Sequence, residues 1–400
     1  MQLTIEALIV VLDGLLSFNF EPNYELSGGI QAELVRSHMR IAYSVPKHYL
    51  YFQSGYPSEP LLAEAAAQQL LTFKEKTGGC LSAMADMLHK TSLLQTTLID
   101  SGQRGEVFMR MCLMGAYMDG VLQELWSDPR RGIVFSKGCK LTTFIERLFE
   151  PTYARMVLDA RPDNLESDMT FSEAFAHSMV RFTHFVEAGD AYAMTSEALF
   201  AAFTRGMAFI GYPTQQAADF AIPVLLNKDD TLQESAMSAT LIRIKRRVKG
   251  CSPCAYTFSE DEVGLFPPEA EARESQGKGK GKAEESLDDK RPYITLVAEV
   301  CIEPQEGNMK TPTVHVSQRS EPIHYHSDVH PRYAIVAYGC TGVYNQVDGS
   351  KYAFFLATRD FFTEHPNYWV ARSRDLAMRL KPFWWCGENS YHWLDSELLG

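Results

Sequence analysis

The chain has 400 residues, an apolar content of 46 % and a formal net charge of −12. The length allows two or three domains, or one core with large insertions. The acidic balance argues against bulk nucleic-acid affinity and leaves only local basic patches, one at Arg243, Lys245, Arg246, Arg247 and Lys249 and another at Arg372, Arg374, Arg379 and Lys381. Eight scattered cysteines make no dense disulfide framework, so a reducing compartment is expected.

The apolar run Leu3–Phe20 carries Glu6 and Asp13 and has neither a basic flank nor a small-residue cleavage site. It predicts a buried helix, not a signal peptide or a membrane span. No other stretch is long and apolar enough to cross a bilayer, and an intracellular chain, cytoplasmic or nuclear, is expected. Residues 1–200 read as mainly helical. Ser58–Leu71 opens with Ser, Glu and Pro before strong helix formers. Gly105–Leu125 repeats apolar residues at helical spacing after a capping Asp100-Ser101-Gly102. Phe171–Ala188 and Ser196–Thr204 give two further helical patterns.

Residues 201–390 read as an α/β core. Three short strands are predicted: Met207–Tyr212, Ala218–Leu226 and Ala239–Lys245. Glu269–Arg291 has almost no apolar content and contains GKGKGK at Gly277–Lys282, so a disordered insertion, dispensable for folding, is expected. That run lacks the spacing of a phosphate-binding loop. Tyr293–Ile302 and Tyr333–Tyr338 are further strands, and Phe361–Asn367 begins a loop or short helix ahead of an aromatic tail with Trp384, Trp385 and Trp393. Those rings suit either base stacking or a core.

The chemistry-bearing pattern lies in the three strands. Asp219 opens the second and Lys245 closes the third. Phosphodiester cleavage uses carboxylate-held Mg²⁺ to activate water and an amine to stabilise the developing charge. A helix followed by three strands with these residues matches the order of the PD-(D/E)XK nuclease core. The alternative is a three-strand unit that carries an Asp and a Lys at its ends for no catalytic reason.

The resemblance extends further. Gly102-Gln103-Arg104-Gly105-Glu106 with Arg110, Pro213–Asp219 with Ile222-Pro223, Leu241–Lys245 and Tyr56–Glu64 together resemble a set of uncharacterised fungal proteins, expanded in mushroom-forming fungi, with a restriction-endonuclease-like core. The resemblance spans about residues 30–390. It implies an α/β fold with a restriction-endonuclease-like mixed sheet and a large helical N-terminal portion. It also implies Glu106 as the helix carboxylate, Asp219 as the central metal ligand, Lys245 as the catalytic amine and Mg²⁺ as cofactor.

Glu106 also reads as the i,i+4 partner of Arg110 on a solvated helix face, and Glu197 is a second candidate for the helix carboxylate. The departure from the pattern is Arg243, which stands where an acid is wanted, cannot ligate a cation and repels one. It predicts weakened catalysis, with Arg243, Arg246 and Arg247 suited instead to a phosphate backbone. The expected function is nucleic-acid binding or processing. A non-enzymatic interaction protein that keeps the fold is the alternative. A third reading is a zinc-stabilised module built on Cys251 and Cys254 with His324, His326 and His330.

Overall fold

The computed structural model describes residues 5–18, 25–44, 53–77, 80–91, 101–125, 134–189, 194–212, 218–247, 263–266, 289–301, 313–319 and 329–347. Cys251, Cys254, His324, His326, residues 269–288, the second basic patch and the tryptophan-rich tail lie outside them. The helices are α1 (Ile5–Leu16), α2 (Glu25–Arg36), α3 (Pro60–Thr77), α4 (Cys80–Thr91), α5 (Ser101–Leu125), α6 (Leu141–Leu148), α7 (Pro151–Leu158), α8 (Phe171–Ala174) and α9 (Ser196–Arg205). The strands are β1 (Ile41–Ser44), β2 (Gln53–Gly55), β3 (Cys139–Lys140), β4 (Met179–Val180), β5 (His184–Glu187), β6 (Met207–Ile210), β7 (Phe220–Leu225), β8 (Met237–Arg247), β9 (Tyr293–Cys301), β10 (Thr313–Val316) and β11 (Arg332–Tyr338).

Among the described residues, β3–β11 form one nine-stranded mixed sheet and β1–β2 a separate antiparallel hairpin. The three strands predicted between residues 207 and 245 are present as an antiparallel meander, β6–β7–β8. β9 then adds parallel to β8 and β11 parallel to β9, with β10 antiparallel at the edge. β5 lies parallel to β6 and ends with Glu187 opposite Ile210.

The sheet is covered on both faces. Phe220, Ile222, Val224 and Ile242 join the large core built with α1, α4, α5 and α6. The alternate residues Ala221, Ala239 and Leu241 join Leu199 and Ala202 of α9. This period-2 division follows from strand geometry, and burial on both sides explains why Phe220–Leu225 is apolar throughout. Pro223 falls between the β6 pairings at Phe220 and Ala221 and the β4 pairings at Val224 and Leu225, a gap that tolerates its missing donor.

Two expectations change. Phe171–Ala188 is not one helix. Thr170 and Glu173 form a capping box, as a helix start should, but α8 stops after one turn. The aromatic and β-branched run that follows pairs instead with β7 and β6. Of the segment expected to be disordered, the described residues 289–291 are ordered. Arg291 is fixed by Asp289, by the Glu234 and Met237 carbonyls (3.0 and 2.9 Å) and by the Phe266 ring 4.5 Å away. No helix among the described residues is long and apolar enough to cross a membrane.

α1 is the buried helix that Leu3–Phe20 predicts. Its core residues include an ion pair, Asp13 to Arg40 at 2.7 Å, each side chain only 2 % exposed. A second buried pair, Arg332 to Asp163 at 2.8 Å, ties β11 to the loop after α7. The described cysteines Cys80, Cys112, Cys139 and Cys340 are buried and joined by no disulfide.

His184 is enclosed in β5. Its Nε2 lies 3.1 Å from the Ser58 hydroxyl and its Nδ1 3.1 Å from that of Thr183. Burial, with help from Arg205, lowers its pKa from 6.5 to about 4. The folded state therefore binds this proton less readily than the unfolded chain. The stability that neutral His184 provides is complete above pH 6.5 and is lost as the pH falls towards about 4. We expect a loss on the order of 2–3 kcal/mol between pH 7 and 4.5 from this group, read by denaturant titration. The pH-dependent part should vanish in His184→Gln. A second test concerns the insertion: removing residues 269–288 should leave the melting temperature nearly unchanged, whereas Arg291→Ala should cost about 1–3 kcal/mol by stranding two carbonyls.

Candidate functional site

The end of α1, the β1–β2 hairpin, α5 and the ends of β5, β6 and β7 enclose a cleft of about 230 Å³. Glu106, Glu187 and Asp219 line it, together with Arg40 and Arg110. Local chemistry explains each placement.

Asp219 stands just before β7. Its N–H donates to the Ile242 carbonyl (2.8 Å) and its own carbonyl accepts from Gly211 N–H (2.7 Å). Its Oδ2 accepts from Ile244 N–H at 2.5 Å. Asp219 thus joins the start of β7 to both neighbouring strands. Burial pushes its pKa up, while the Ile244 N–H, Lys245 and Arg243 pull it down. A glycine is required opposite it, because a Cβ on Gly211 would sit 2.5 Å from the Ala218 carbonyl oxygen.

Arg40 and Arg110 meet the C-terminal end of α1, where free carbonyls attract cations. Arg40 is saturated. Nη1 reaches Asp13 (2.7 Å) and the Phe18 carbonyl (3.1 Å), Nη2 the Phe18 and Ser54 carbonyls (3.1 and 2.7 Å), and Nε the Ser54 hydroxyl (3.0 Å). These bonds fasten the hairpin to α1. Arg110 donates through Nη1 to the Leu16 and Ser17 carbonyls and lies over the Phe220 ring. Burial lowers its pKa to about 10, with Glu106, Asp13 and Glu187 opposing the shift, so it stays cationic at neutral pH.

The structure brings Glu106 and Asp219 to one cleft. Glu106 belongs to the second turn of α5, not its start. The solvated-face reading of its pair with Arg110 is overturned, since Arg110 is only 2 % exposed. Lys245 and Arg243 act electrostatically on Asp219 but do not line the cleft. Glu197 is exposed on α9 and does not line it either. Arg246 and Arg247 continue β8 beside Val300 and Cys301, and their side chains lie outside the described residues. His330 stacks on Phe266 at 4.0 Å, with Nδ1 3.1 Å from the Arg291 carbonyl, so packing accounts for it.

Sequence reasoning missed Glu187, Arg40, Asp13 and Ser17. Glu187 was hidden in the predicted helix 171–188, although the aromatic and β-branched pair Phe185-Val186 before it has strand propensity. Arg40 and Asp13 carry no local signal, because they meet across 27 positions.

A Mg²⁺ ion keeps several waters and takes one or two carboxylates. Among the described residues no three His, Cys, Asp or Glu come together as a ligand group. One Asp219 oxygen already holds Ile244 N–H, and two cations act on that carboxylate. These residues do not fit a preformed ion cage.

A family model described as "Domain of unknown function (DUF8736)" matches residues 3–252. The chain belongs to that family. No curated protein and no solved structure matches the chain. Every residue lining the cleft, from Ser17 to Asp219, falls inside the family segment, whereas β9, β10 and β11 lie beyond it.

The close approach at Gly211 gives a test. Gly211→Ala should cost about 1–3 kcal/mol of stability by denaturant titration, because the added Cβ meets the Ala218 and Asp219 backbone carbonyls and backbone must shift to admit it. Gly189→Ala should be neutral, since nothing lies within 4 Å of its added Cβ.

Proposed function

We propose that this cleft binds the phosphodiester backbone of nucleic acid, in a restriction-endonuclease-like core whose catalysis is weakened. The observation that carries the reading is the meeting of Glu106 and Asp219 in one cleft, from elements far apart in sequence. Two further features support it. The meander β6–β7–β8 puts Asp219 before the second strand and Lys245 near the end of the third, close enough for Lys245 to act on Asp219. Helix α9 leads straight into that meander and packs on all three strands.

Each residue has a physical role in this reading. Lys245 and Arg243 supply positive potential beside Asp219, and Arg110 supplies it inside the cleft. Glu106 and Asp219 are the acids through which such cores engage a cation. The ligand set does not fit a preformed cage, so we derive no step through a metal. Arg243 opposes cation binding at Asp219 by direct charge repulsion. This favours binding over cleavage and is the feature shared with the non-enzymatic alternative.

The test is direct. Fluorescently labelled DNA and RNA should bind the full chain with an affinity that falls steeply with salt. Mg²⁺-dependent cleavage should be slight. Arg243→Glu should tighten Mg²⁺ binding by on the order of tenfold, about 1.4 kcal/mol, and raise cleavage. Robust cleavage by the unmodified chain, abolished by Asp219→Ala, would overturn the weakened catalysis. No binding of either polymer would overturn the nucleic-acid reading.

A further inference from the structure

We infer that Arg110 forms an oxyanion subsite at the base of the cleft, which takes one phosphate group through the unpaired Nε–Nη2 edge of its guanidinium. The inference deepens the proposed function and rests on it only in assigning that phosphate to a nucleic-acid backbone.

A guanidinium binds phosphate or carboxylate best through two parallel N–H bonds. One edge is Nε with Nη2. In Arg40 this edge is spent on Ser54. In Arg110 only Nη1 makes hydrogen bonds, both to carbonyls at the end of α1. Its Nε is buried with no partner. An unpaired N–H on a side chain that is 2 % exposed carries a desolvation cost of about 1–3 kcal/mol unless a ligand meets it. The residue lines the cleft, so a ligand there is the available acceptor.

The subsite is built rigidly. The Leu16 and Ser17 carbonyls fix one end of the guanidinium, and the Phe220 ring, 5.8 Å from its centre, backs it. The Ser17 carbonyl is presented by a left-handed backbone, φ 50°, which is unusual for a non-glycine residue. Ser17 also lines the cleft. A guanidinium held this way loses little freedom when an anion docks.

Glu106 and Glu187 act on the same guanidinium. They would repel an anion, and they make the subsite discriminating rather than generally anion-binding. Arg110→Lys tests it, because the ammonium keeps a charge and can still reach a carbonyl but has no planar fork. Two probes separate the sources of phosphate: a labelled single-stranded oligothymidylate, and inorganic phosphate. Both should bind the full chain, the inorganic phosphate as its monoanion in mildly acidic buffer, and Arg110→Lys should weaken both by about tenfold. In the unmodified chain, the ¹⁵N-arginine Nε–H resonance of Arg110 should move on adding either probe, a readout that survives if the variant fails to fold. Phosphate binding that depends on Arg110, without oligonucleotide binding, would uphold the subsite and overturn the nucleic-acid reading. Oligonucleotide binding indifferent to Arg110→Lys, with an unmoved resonance, would overturn the subsite and leave that reading standing. Binding of neither probe would overturn both.

Discussion

Arg40 and Arg110 both end on the last turn of α1, and the cleft depends on how they do so. A buried cation is tolerated only when its donors are met and its charge is offset. Asp13 offsets Arg40 from within α1, and Phe18 and Ser54 take the remaining donors. Burial pushes the Asp13 carboxyl up, and Arg40, the Phe18 N–H and Arg110 pull it back. This network holds the β1–β2 hairpin against α1 and so makes one wall of the cleft. Removing either partner would leave an uncompensated buried charge, a loss on the order of 3–5 kcal/mol.

The sheet strands were legible as short runs rich in apolar, aromatic and β-branched residues, nearly continuous where both faces of the sheet are buried. Phe220–Leu225 and Met237–Arg247 show it, and so do Tyr293–Cys301 and Arg332–Tyr338. The longer helices were legible for the same kind of reason. The region after Thr170 was not. Its capping box announces a helix, and only pairing with β6 and β7 decides that the helix ends after one turn. The hairpin was silent as well, since Ile41–Ser44 and Gln53–Gly55 are short and hold together through Arg40.

Half of the site was legible by the same logic. Asp219 and Glu106 lie in patterned segments, so their residue types could be read in context. Glu187 could not be, because the wrong element was assigned to it. Arg110 was visible as a motif residue and as a surface partner for Glu106, but not as a buried cation. Whether an arginine lies on a solvated face or beneath a helix end is decided by tertiary packing, here by α1 arriving from ninety-odd positions away. Local sequence cannot encode that.

The cleft therefore carries charge of both signs, and this mixture constrains what it can hold. Glu106, Glu187 and Asp219 share it with a saturated Arg40 and an Arg110 whose buried Nε is unpaired. A ligand bearing two negative charges at one phosphorus pays repulsion from the acids twice, while Arg110 offers a single full charge. A phosphodiester, with one negative charge shared by two oxygens, matches the guanidinium fork and meets half that repulsion. If the proposed subsite holds a phosphate, the acids would thus favour an internal backbone phosphate over a terminal phosphomonoester. On the proposed reading, the acids that would engage a cation in an active core would instead filter the charge of the phosphate.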